Sequence, residues 1–342
     1  MQRRVRRPAF PALKLDMDDR SMEKIHQSIV IPVYKNEANI AALLAALAKL
    51  LGSFKRRTEV VFVIDGSPDR SYELLRAKLS TFPHPTQLIR HSRNFGSFQA
   101  VRTGMAAAQG ELIGVIAADL QEPPELMARS FAILAADEAD VVMGVRERRD
   151  DPWLRSLLSN VFWRLYRRFV NPDMPAGGVD CFACNRRVTE ALLSIQESNS
   201  SLIAQLFWLG FRRAFVSYAR QKREAGRSSW TFVKRLRYML DSIISFTDLP
   251  IMLMLWTGLL TFCGASIYSV LLLRAWLYGR IAVPGYTALM LVVIIFGSLI
   301  LFTQGLMGLY VWRAFENTKH RPLSLVSGHE MFGTAQRKRR KG

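Results

Sequence analysis

Cysteine is scarce in this sequence, and the positions of its few cysteines argue against a zinc site and against a redox-active pair. Of the three cysteines in 342 residues, Cys181 and Cys184 form a C-x-x-C pair. No second pair and no histidine cluster accompanies them, which argues against a zinc site. Phe182, between the two thiols, belongs to strand-like sequence, whereas a redox pair usually begins a helix. We therefore predict two reduced thiols in the packed core of a cytosolic domain.

The two common glycine-rich phosphate motifs are also missing. Neither G-x-x-x-x-G-K-S/T nor G-x-G-x-x-G occurs anywhere in the chain. Their absence argues against a P-loop NTPase and against a dinucleotide-binding Rossmann enzyme.

Acidic residues are outnumbered by basic ones. The chain has 28 Asp and Glu against 47 Lys and Arg, a formal net charge of +19. Such an excess suits an anionic partner: nucleic acid, a phosphate-rich substrate or an anionic membrane face. The arginine cluster at 3–7 is followed by no apolar core, so it is not a signal peptide. Two apolar stretches lie downstream, so a tail resting on anionic lipid fits better than nuclear targeting or nucleic-acid binding.

Charge is absent from two long stretches, 249–273 and 281–312. At about 1.5 Å per helical residue, each exceeds the roughly 20 residues needed to cross about 30 Å of hydrocarbon. We predict transmembrane helices at 249–273 and 285–312, joined by a short external loop at 274–284. The flanks outside this pair are richer in Lys and Arg than the loop, so both termini are expected in the cytoplasm.

Upstream of these stretches, short apolar runs alternate with helical patterns. The predicted strands are 28–33, 59–64, 87–90, 112–118 and 140–144, and the predicted helices are 39–51, 71–79, 98–108 and 126–136. This alternation predicts a doubly wound α/β domain with a Rossmann-like, mostly parallel sheet. Between that domain and the first apolar stretch, residues 231–246 place apolar side chains on one helical face, as in an interfacial amphipathic helix.

Polar side chains follow three of the predicted strands, at 34–37, 65–69 and 119–121. The carboxyl ends of parallel strands meet at one edge of a sheet, which is where open α/β sheets bind ligands. The three loops are therefore expected to form one polar rim with the character of a nucleotide site.

Two side chains of this rim offer metal ligands. Asp119 and Gln121 carry oxygens of the type that Mg²⁺ or Mn²⁺ prefers, and a nucleotide diphosphate could complete the shell. Two alternatives remain open on the residues alone. Asp119 could instead be the N-cap of a helix, with the prolines after it in the first turn. Asp65 could be a simple turn residue.

Four motifs occur in order along the chain: I-V-I-P-V-Y-K-N-E from 29, V-I-D-G-S-P-D from 63, R-N-F-G from 93 and A-D-L-Q-E-P-P from 118. Together they resemble the family 2 glycosyltransferases of GT-A fold. More narrowly, they are similar to polyisoprenyl-phosphate glycosyltransferases, the group that includes dolichyl-phosphate mannose synthase and bacterial undecaprenyl-phosphate sugar transferases. The resemblance covers about residues 28–250, and the two apolar stretches resemble those of the bacterial membrane-anchored members.

This resemblance implies a role for each site residue. The implied nucleotide-sugar contacts are Pro32, Tyr34, Glu37, Asp65, Asn94 and Asp119. Asp119 and Gln121 are implied as ligands of Mg²⁺ or Mn²⁺, and Asp119 is counted with Asp180 as catalytic. The implied contacts of the acceptor phosphate are Arg146, Arg155, Ser159 and Arg223. Asp180 matches an acidic position near sugar and acceptor, where it could act as base, position the acceptor or bind a sugar hydroxyl.

Two motifs depart from the family pattern. The D-x-D motif appears as Ala117-Ala118-Asp119, and the D-D-G-S motif begins with Ile64 in place of its first acid. Each change removes a carboxylate near the diphosphate, so an inactive relative is an alternative. The E-P-P that follows is intact, and water and phosphate can complete a metal shell, so an active enzyme is favoured.

The sequence therefore predicts a membrane-anchored hexosyltransferase of the EC 2.4 class in a bacterial inner membrane. It would move a hexose, with UDP-glucose favoured, to undecaprenyl or dolichyl phosphate for cell-envelope glycan synthesis. Alternatives are GDP-mannose, a UDP-aminosugar or another lipid acceptor, and a non-catalytic membrane subunit. The expected partners are a nucleotide sugar, a polyprenyl phosphate and the membrane, without nucleic acid; a homo-oligomer is compatible with the sequence. The predicted segments are a basic tail 1–27, a transferase domain 28–228, an amphipathic helix 229–248, the three membrane segments and a basic cytoplasmic tail 313–342.

Overall fold

An eight-stranded sheet forms the centre of the protein in a computed structural model. The structure describes residues 24–146, 164, 167–168, 172–175, 178–197, 200–219, 249–278, 285–319 and 321–333. The predicted amphipathic helix 229–248 and most of the N-terminal tail lie outside these ranges.

Helices and strands alternate through the first half of the described chain. The strands are β1 (Gln27–Val33), β2 (Thr58–Ile64), β3 (Thr86–His91), β4 (Leu112–Val115), β5 (Val141–Arg146), β6 (Cys181–Asn185), β7 (Arg213–Tyr218) and β8 (Val326–Phe332). The helices are α1 (Ile40–Gly52), α2 (Ser71–Leu79), α3 (Ser97–Ala107), α4 (Glu125–Ala135), α5 (Arg186–Ser194), α6 (Leu202–Trp208), α7 (Leu249–Leu277) and α8 (Tyr286–Thr318).

The strand order in the sheet is β7-β5-β6-β4-β1-β2-β3-β8. The pairs β1–β2, β1–β4, β2–β3 and β5–β7 are parallel, whereas β6 is antiparallel to both its neighbours and β8 is antiparallel to β3. All strands except β6 and β8 therefore run in one direction. Their carboxyl ends, together with the beginnings of β6 and β8, lie at the same edge of the sheet. The predicted α/β class with a mostly parallel sheet is confirmed.

Two apolar layers cover the faces of the sheet. Alternate residues of β1 face opposite ways, so Ile29 belongs to one buried cluster and Val30 to the other. The first cluster includes Leu43 of α1 and side chains of α2 and α4, and the second includes Met105 of α3 and side chains of α5 and α6. Helices thus pack on both faces, as expected for a doubly wound domain.

The predicted elements of the first half are confirmed to within a few residues at their ends. Strand β4 is shorter than predicted, because it leaves the ladder after Val115. Strand β6 confirms the strand-like interpretation of the C-x-x-C pair. Strand β8 lies within the segment 313–342 that the sequence presented as a basic tail, so this segment contributes to the sheet.

Helices α7 and α8 cover most of the two uncharged stretches of the sequence and extend beyond their C-terminal ends. Among the described residues, no helix is found that is both long enough and apolar enough to cross a membrane. The two membrane spans and the cytoplasmic placement of the termini therefore stay predictions.

Gly66 allows two loops at the carboxyl edge to touch. Its φ of +57° is left-handed, and a Cβ at this position would lie 2.2 Å from the carbonyl carbon of Arg93. The loop after β2 can therefore approach the loop after β3 this closely only with glycine at position 66.

Replacement of Gly66 by alanine is expected to destabilise the fold. We expect Gly66→Ala to lower the free energy of unfolding by about 2–4 kcal/mol, from left-handed strain and overpacking together. Gly52→Ala is the matched control, because nothing lies within 4 Å of a Cβ built there. In urea denaturation this control should stay within about 1 kcal/mol of the wild type. An equal effect of the two substitutions would contradict the close contact at Gly66.

Candidate functional site

The loop after β1 is fixed to the loop after β2 by hydrogen bonds in both directions. The amide of Lys35 donates to Ser67 Oγ over 2.8 Å, and the amide of Glu37 donates to Asp69 Oδ2 over 3.0 Å. In return, the amide of Arg70 donates to Glu37 Oε2 over 3.1 Å. Two of the three predicted rim loops are therefore joined, and Pro32 and Tyr34 lie at the end of β1 beside them.

Asp69 organises this junction. Its carboxylate accepts from the hydroxyls of Ser67 and Ser71, at 2.6 and 2.9 Å, as well as from the amide of Glu37. Burial raises the pKa of Asp69, but these hydrogen bonds outweigh burial and hold the pKa below its ordinary value. Asp69 is thus a fixed negative charge at the rim. It is the last residue of the V-I-D-G-S-P-D motif, but the sequence did not indicate that it joins the two loops.

Asp65 lies at the end of β2, as predicted, but its carboxylate is turned into the protein. Only 2% of the residue is exposed. Oδ1 accepts from the amide of Phe95 and Oδ2 from the amide of Gly96, both over 2.8 Å. Oδ1 also lies 2.9 Å from Nδ1 of the buried His91. These contacts favour a role in fixing the loop that contains Asn94; the nucleotide contacts of Asp65 and Asn94 stay predictions.

The loop after β4 carries the predicted metal ligands. Asp119 Oδ1 accepts from the amide of Gln121 over 3.3 Å, and Leu120 between them has a left-handed φ of 56°. Helix α4 begins only at Glu125, with Pro124 at its N-cap position. The alternative interpretation of Asp119 as a helix N-cap is therefore wrong, and its side chain stays part of the rim loop.

These two residues fit part of a cation shell. Carboxylate and amide oxygens are hard donors, which suit Mg²⁺ or Mn²⁺. Within the described ranges, no group of three or more His, Cys, Asp or Glu residues could hold a metal ion. The described protein residues would thus supply Asp119 and Gln121, and phosphate and water oxygens would supply the rest.

A second polar cluster lies at the same edge, at the ends of β5 and β7 and the beginning of β6. Arg146 donates two hydrogen bonds to Asp180: Nη2 donates to Oδ1 over 2.5 Å, and Nε donates to Oδ2. Tyr218 donates its hydroxyl to the same Oδ2 over 2.7 Å. Arg146 and Asp180, which were predicted for different roles, are therefore an ion pair. Tyr218 was not predicted, because it lies at the end of a strand that the sequence pattern did not reveal.

The charges of this cluster shift the pKa values of its members. Burial lowers the pKa of Arg146, but the hydrogen bonds and charge of Asp180 outweigh burial and raise it. Burial, together with the charges of Asp180 and Glu122, raises the pKa of Tyr218, so its phenol stays protonated as a donor. Glu122 is itself buried and accepts from the amide of Ala117 over 3.3 Å, so it belongs to the loop of the predicted metal ligands, and its charge acts from there on Tyr218.

Three predicted acceptor contacts lie outside the described residues: Arg155, Ser159 and Arg223. Their roles stay predictions. Cys181 and Cys184 are both free and buried. Burial raises the pKa of the Cys181 thiol well above its ordinary value and that of Cys184 to about 12. The prediction that both thiols lie in the packed core is confirmed, and the raised pKa values make them poor nucleophiles; their cytosolic location stays a prediction.

Comparison with known proteins identifies the family. The model of glycosyl transferase family 2 matches residues 28–193. The glycosyltransferase YkcC of Bacillus subtilis is 32% identical over 303 residues, which cover 88% of this chain and 93% of the relative. The chain belongs to glycosyltransferase family 2, and the prediction of a sugar-transferring enzyme is confirmed.

Two further comparisons describe a second curated relative and a solved structure. The undecaprenyl-phosphate 4-deoxy-4-formamido-L-arabinose transferase of Proteus mirabilis is 28% identical over 306 residues, covering 88% of this chain and 93% of the relative. Among solved structures, the mannosyltransferase PcManGT of Pyrobaculum calidifontis, in complex with GDP-Man and Mn²⁺, shares 17% identity. Its TM-score is 0.48, with 65% of this chain and 64% of that chain covered.

The contact between Tyr218 and Asp180 yields a test of the second cluster. We expect Tyr218→Phe to lower kcat/KM for sugar transfer about ten- to a hundredfold, because it removes a hydrogen bond to a charged group. If Tyr218 acts through Asp180, the same substitution should have little further effect in an Asp180→Ala background, which lacks the accepting oxygens. Steady-state kinetics of the two single variants and the double variant measure this. Fully additive losses would show that Tyr218 acts independently of Asp180.

Proposed function

We propose that the protein transfers a hexose from a nucleotide sugar to a polyprenyl phosphate, such as undecaprenyl or dolichyl phosphate, at a membrane surface. UDP-glucose is the first donor candidate. The observation that carries this proposal is the extent of similarity to the undecaprenyl-phosphate transferase of Proteus mirabilis. The 306 aligned residues cannot fit into the family domain at 28–193 and must extend into the C-terminal half, where α7 and α8 lie.

The described surface of the long helices supports the membrane part of the proposal. Leu253, Trp256 and Leu260 of α7 are 66%, 59% and 72% exposed, and Leu289 and Val293 of α8 are similarly open. Exposing this many large apolar side chains to water is unfavourable in free energy, whereas contact with lipid would cover them. A polyprenyl phosphate would present its phosphate at the headgroup plane beside them.

The chemistry required of the site is modest. A lipid phosphate oxygen is already anionic at neutral pH, so the acceptor needs no strong base. The protein must orient the acceptor, stabilise charge on the departing diphosphate and exclude water. A cation held by Asp119 and Gln121 would supply charge stabilisation at the diphosphate.

The surroundings of Asp180 support its two predicted binding roles over its predicted role as a base. Both carboxylate oxygens accept hydrogen bonds from Arg146, and Oδ2 also accepts from Tyr218. A carboxylate whose two oxygens already accept from a guanidinium and a phenol is held in place, which suits positioning better than taking up a proton. We therefore favour a role in positioning the acceptor or a sugar hydroxyl, with Arg146 fixing Asp180 as well as contributing positive charge for the lipid phosphate.

A second donor candidate is a UDP-aminosugar. The name of the Proteus mirabilis relative specifies a formamido sugar. A panel of UDP-glucose, GDP-mannose and UDP-aminosugars, each tested with undecaprenyl and dolichyl phosphate on the purified protein, distinguishes these donors. Absence of transfer from every pair would reject the proposal.

Metal use is tested at Asp119. We expect Asp119→Asn to remove most activity at ordinary Mg²⁺ or Mn²⁺ concentrations, because it removes the one charged ligand proposed for the metal. Gln121→Ala should reduce activity less, since water can replace a neutral ligand. Turnover of Asp119→Asn at the wild-type rate would contradict the assignment. A chelator titration of the wild-type protein is the companion measurement.

The proposed topology is tested by reporters. A reporter inserted near Ala282 should appear outside the membrane, and reporters at either terminus should appear in the cytoplasm, because the basic flanks favour that side. A protease-accessibility assay on sealed vesicles measures the same arrangement. Opposite exposure of the two termini would contradict a paired span.

A further inference from the structure

The C-terminal strand returns to the edge of the sheet where the rim loops lie. Because β8 runs antiparallel to β3, its beginning lies beside the end of β3. The amide of Ser92 donates to the carbonyl of Leu325 over 2.9 Å at this point. Ser324, one residue earlier, therefore meets the catalytic domain next to the loop at 93–96.

A chain of hydrogen bonds runs from the partly buried Ser324 to the buried Asp65. Ser324 Oγ lies 2.8 Å from Thr103 Oγ1 of α3, and Thr103 Oγ1 lies 2.9 Å from His91 Nε2. On its other side, His91 Nδ1 lies 2.9 Å from Asp65 Oδ1. We call Ser324, Thr103, His91 and Asp65 the relay. Asp65, its final member, accepts hydrogen bonds from the backbone amides of Phe95 and Gly96.

The partners of His91 fix the position of its ring. Nδ1 faces the Asp65 carboxylate, which can only accept, so Nδ1 donates there. Nε2 faces Thr103 Oγ1, and the single proton of this hydroxyl has a second acceptor in the carbonyl oxygen of Gln99 at 3.0 Å. Because that proton is taken up by Gln99 or His91, Ser324 is the donor toward Thr103, and loss of its hydroxyl removes a partner that holds Thr103 against His91.

We propose that Ser324 and His91 are positioning residues for donor binding: through Asp65 they fix the 93–96 loop in the geometry that receives the nucleotide sugar. The inference rests on the proposed function, because it takes Asn94 of this loop as a donor contact. Neither Ser324 nor His91 belongs to the four sequence motifs of the rim, and Ser324 lies 221 residues from Thr103 in the chain.

The strand does not depend on Ser324 to stay in place. Glu330 accepts from Tyr72 and from Arg76 of α2, at 2.5 and 2.8 Å. His329 Nε2 lies 2.8 Å from Gln87 Oε1 of β3, in addition to the backbone ladder. Loss of the Ser324 hydroxyl should therefore act on the loop without releasing β8.

The test compares Ser324→Ala with Ser327→Ala in the full-length protein. Ser327 is the matched control, since its hydroxyl donates to the carbonyl of Arg90 over 3.1 Å rather than to a relay side chain. We expect Ser324→Ala to speed amide hydrogen exchange at Phe95 and Gly96 about three- to tenfold. The KM for UDP-glucose, or for whichever donor the wild type uses, should rise by a similar factor, with the KM for polyprenyl phosphate and the melting temperature little changed.

Two further variants make the test specific. Ser324→Thr should restore both exchange and KM, because it restores the hydroxyl. In a His91→Asn background, Ser324→Ala should add nothing, since asparagine offers a donor near the Nδ1 position but does not reach Thr103.

The outcomes separate this inference from the proposed function. Equal exchange in Ser324→Ala and Ser327→Ala, or additive effects in the His91→Asn background, would overturn the relay. A wild-type protein that transfers no sugar would reject the proposed function. In that protein, faster exchange at Phe95 and Gly96 in Ser324→Ala would still support the positioning of the loop.

Discussion

A carboxylate buried at a strand end must be supplied with hydrogen-bond donors, and Asp65 obtains its described donors from residues 91–96. This requirement fixes the loop after β3 against the end of β2. Gly66, the next residue, must then tolerate the backbone of Arg93 at a distance that excludes a side chain. The edge of the sheet at β2 and β3 is therefore built around one buried charge, and the geometry of the 93–96 loop follows from it.

Asp180, which is only partly buried, obtains its described donors from side chains instead of backbone amides. Arg146 lies at the end of β5 and Tyr218 at the end of β7, whereas Asp180 precedes β6 on the other side of β5. The three side chains therefore meet only when the sheet is assembled. Backbone donors hold a loop, whereas a guanidinium and a phenol hold a side chain while leaving its surroundings polar. In the proposed function, the loop held by backbone amides would form a rigid wall for the nucleotide sugar. The side chain held by Arg146 and Tyr218 would meet the lipid phosphate acceptor.

The parts of the fold that could be predicted are those whose signal is local. Strands β1 to β5 and the polar residues after them appear as apolar runs followed by turn residues, and the structure has them in those places. The contact between Arg146 and Asp180 and the role of Tyr218 could not be predicted, because they depend on strand order. The buried orientation of Asp65 depends on His91, which has no distinguishing sequence pattern of its own. Strand β8 is missed because it follows a long apolar stretch and pairs with a strand far earlier in the chain.

The return of β8 to the catalytic sheet constrains how the apolar stretches can meet a membrane. The chain leaves the described part of the domain after β7, forms α7 and α8, and rejoins the same sheet beside β3. If the chain between β7 and β8 enters a bilayer, it must return to the side on which the catalytic domain lies. The fold therefore supports an even number of crossings. The relay begins at Ser324, two residues before this rejoined strand. Ser324 therefore joins the segment that follows α8 to the hydrogen bonds that hold the 93–96 loop.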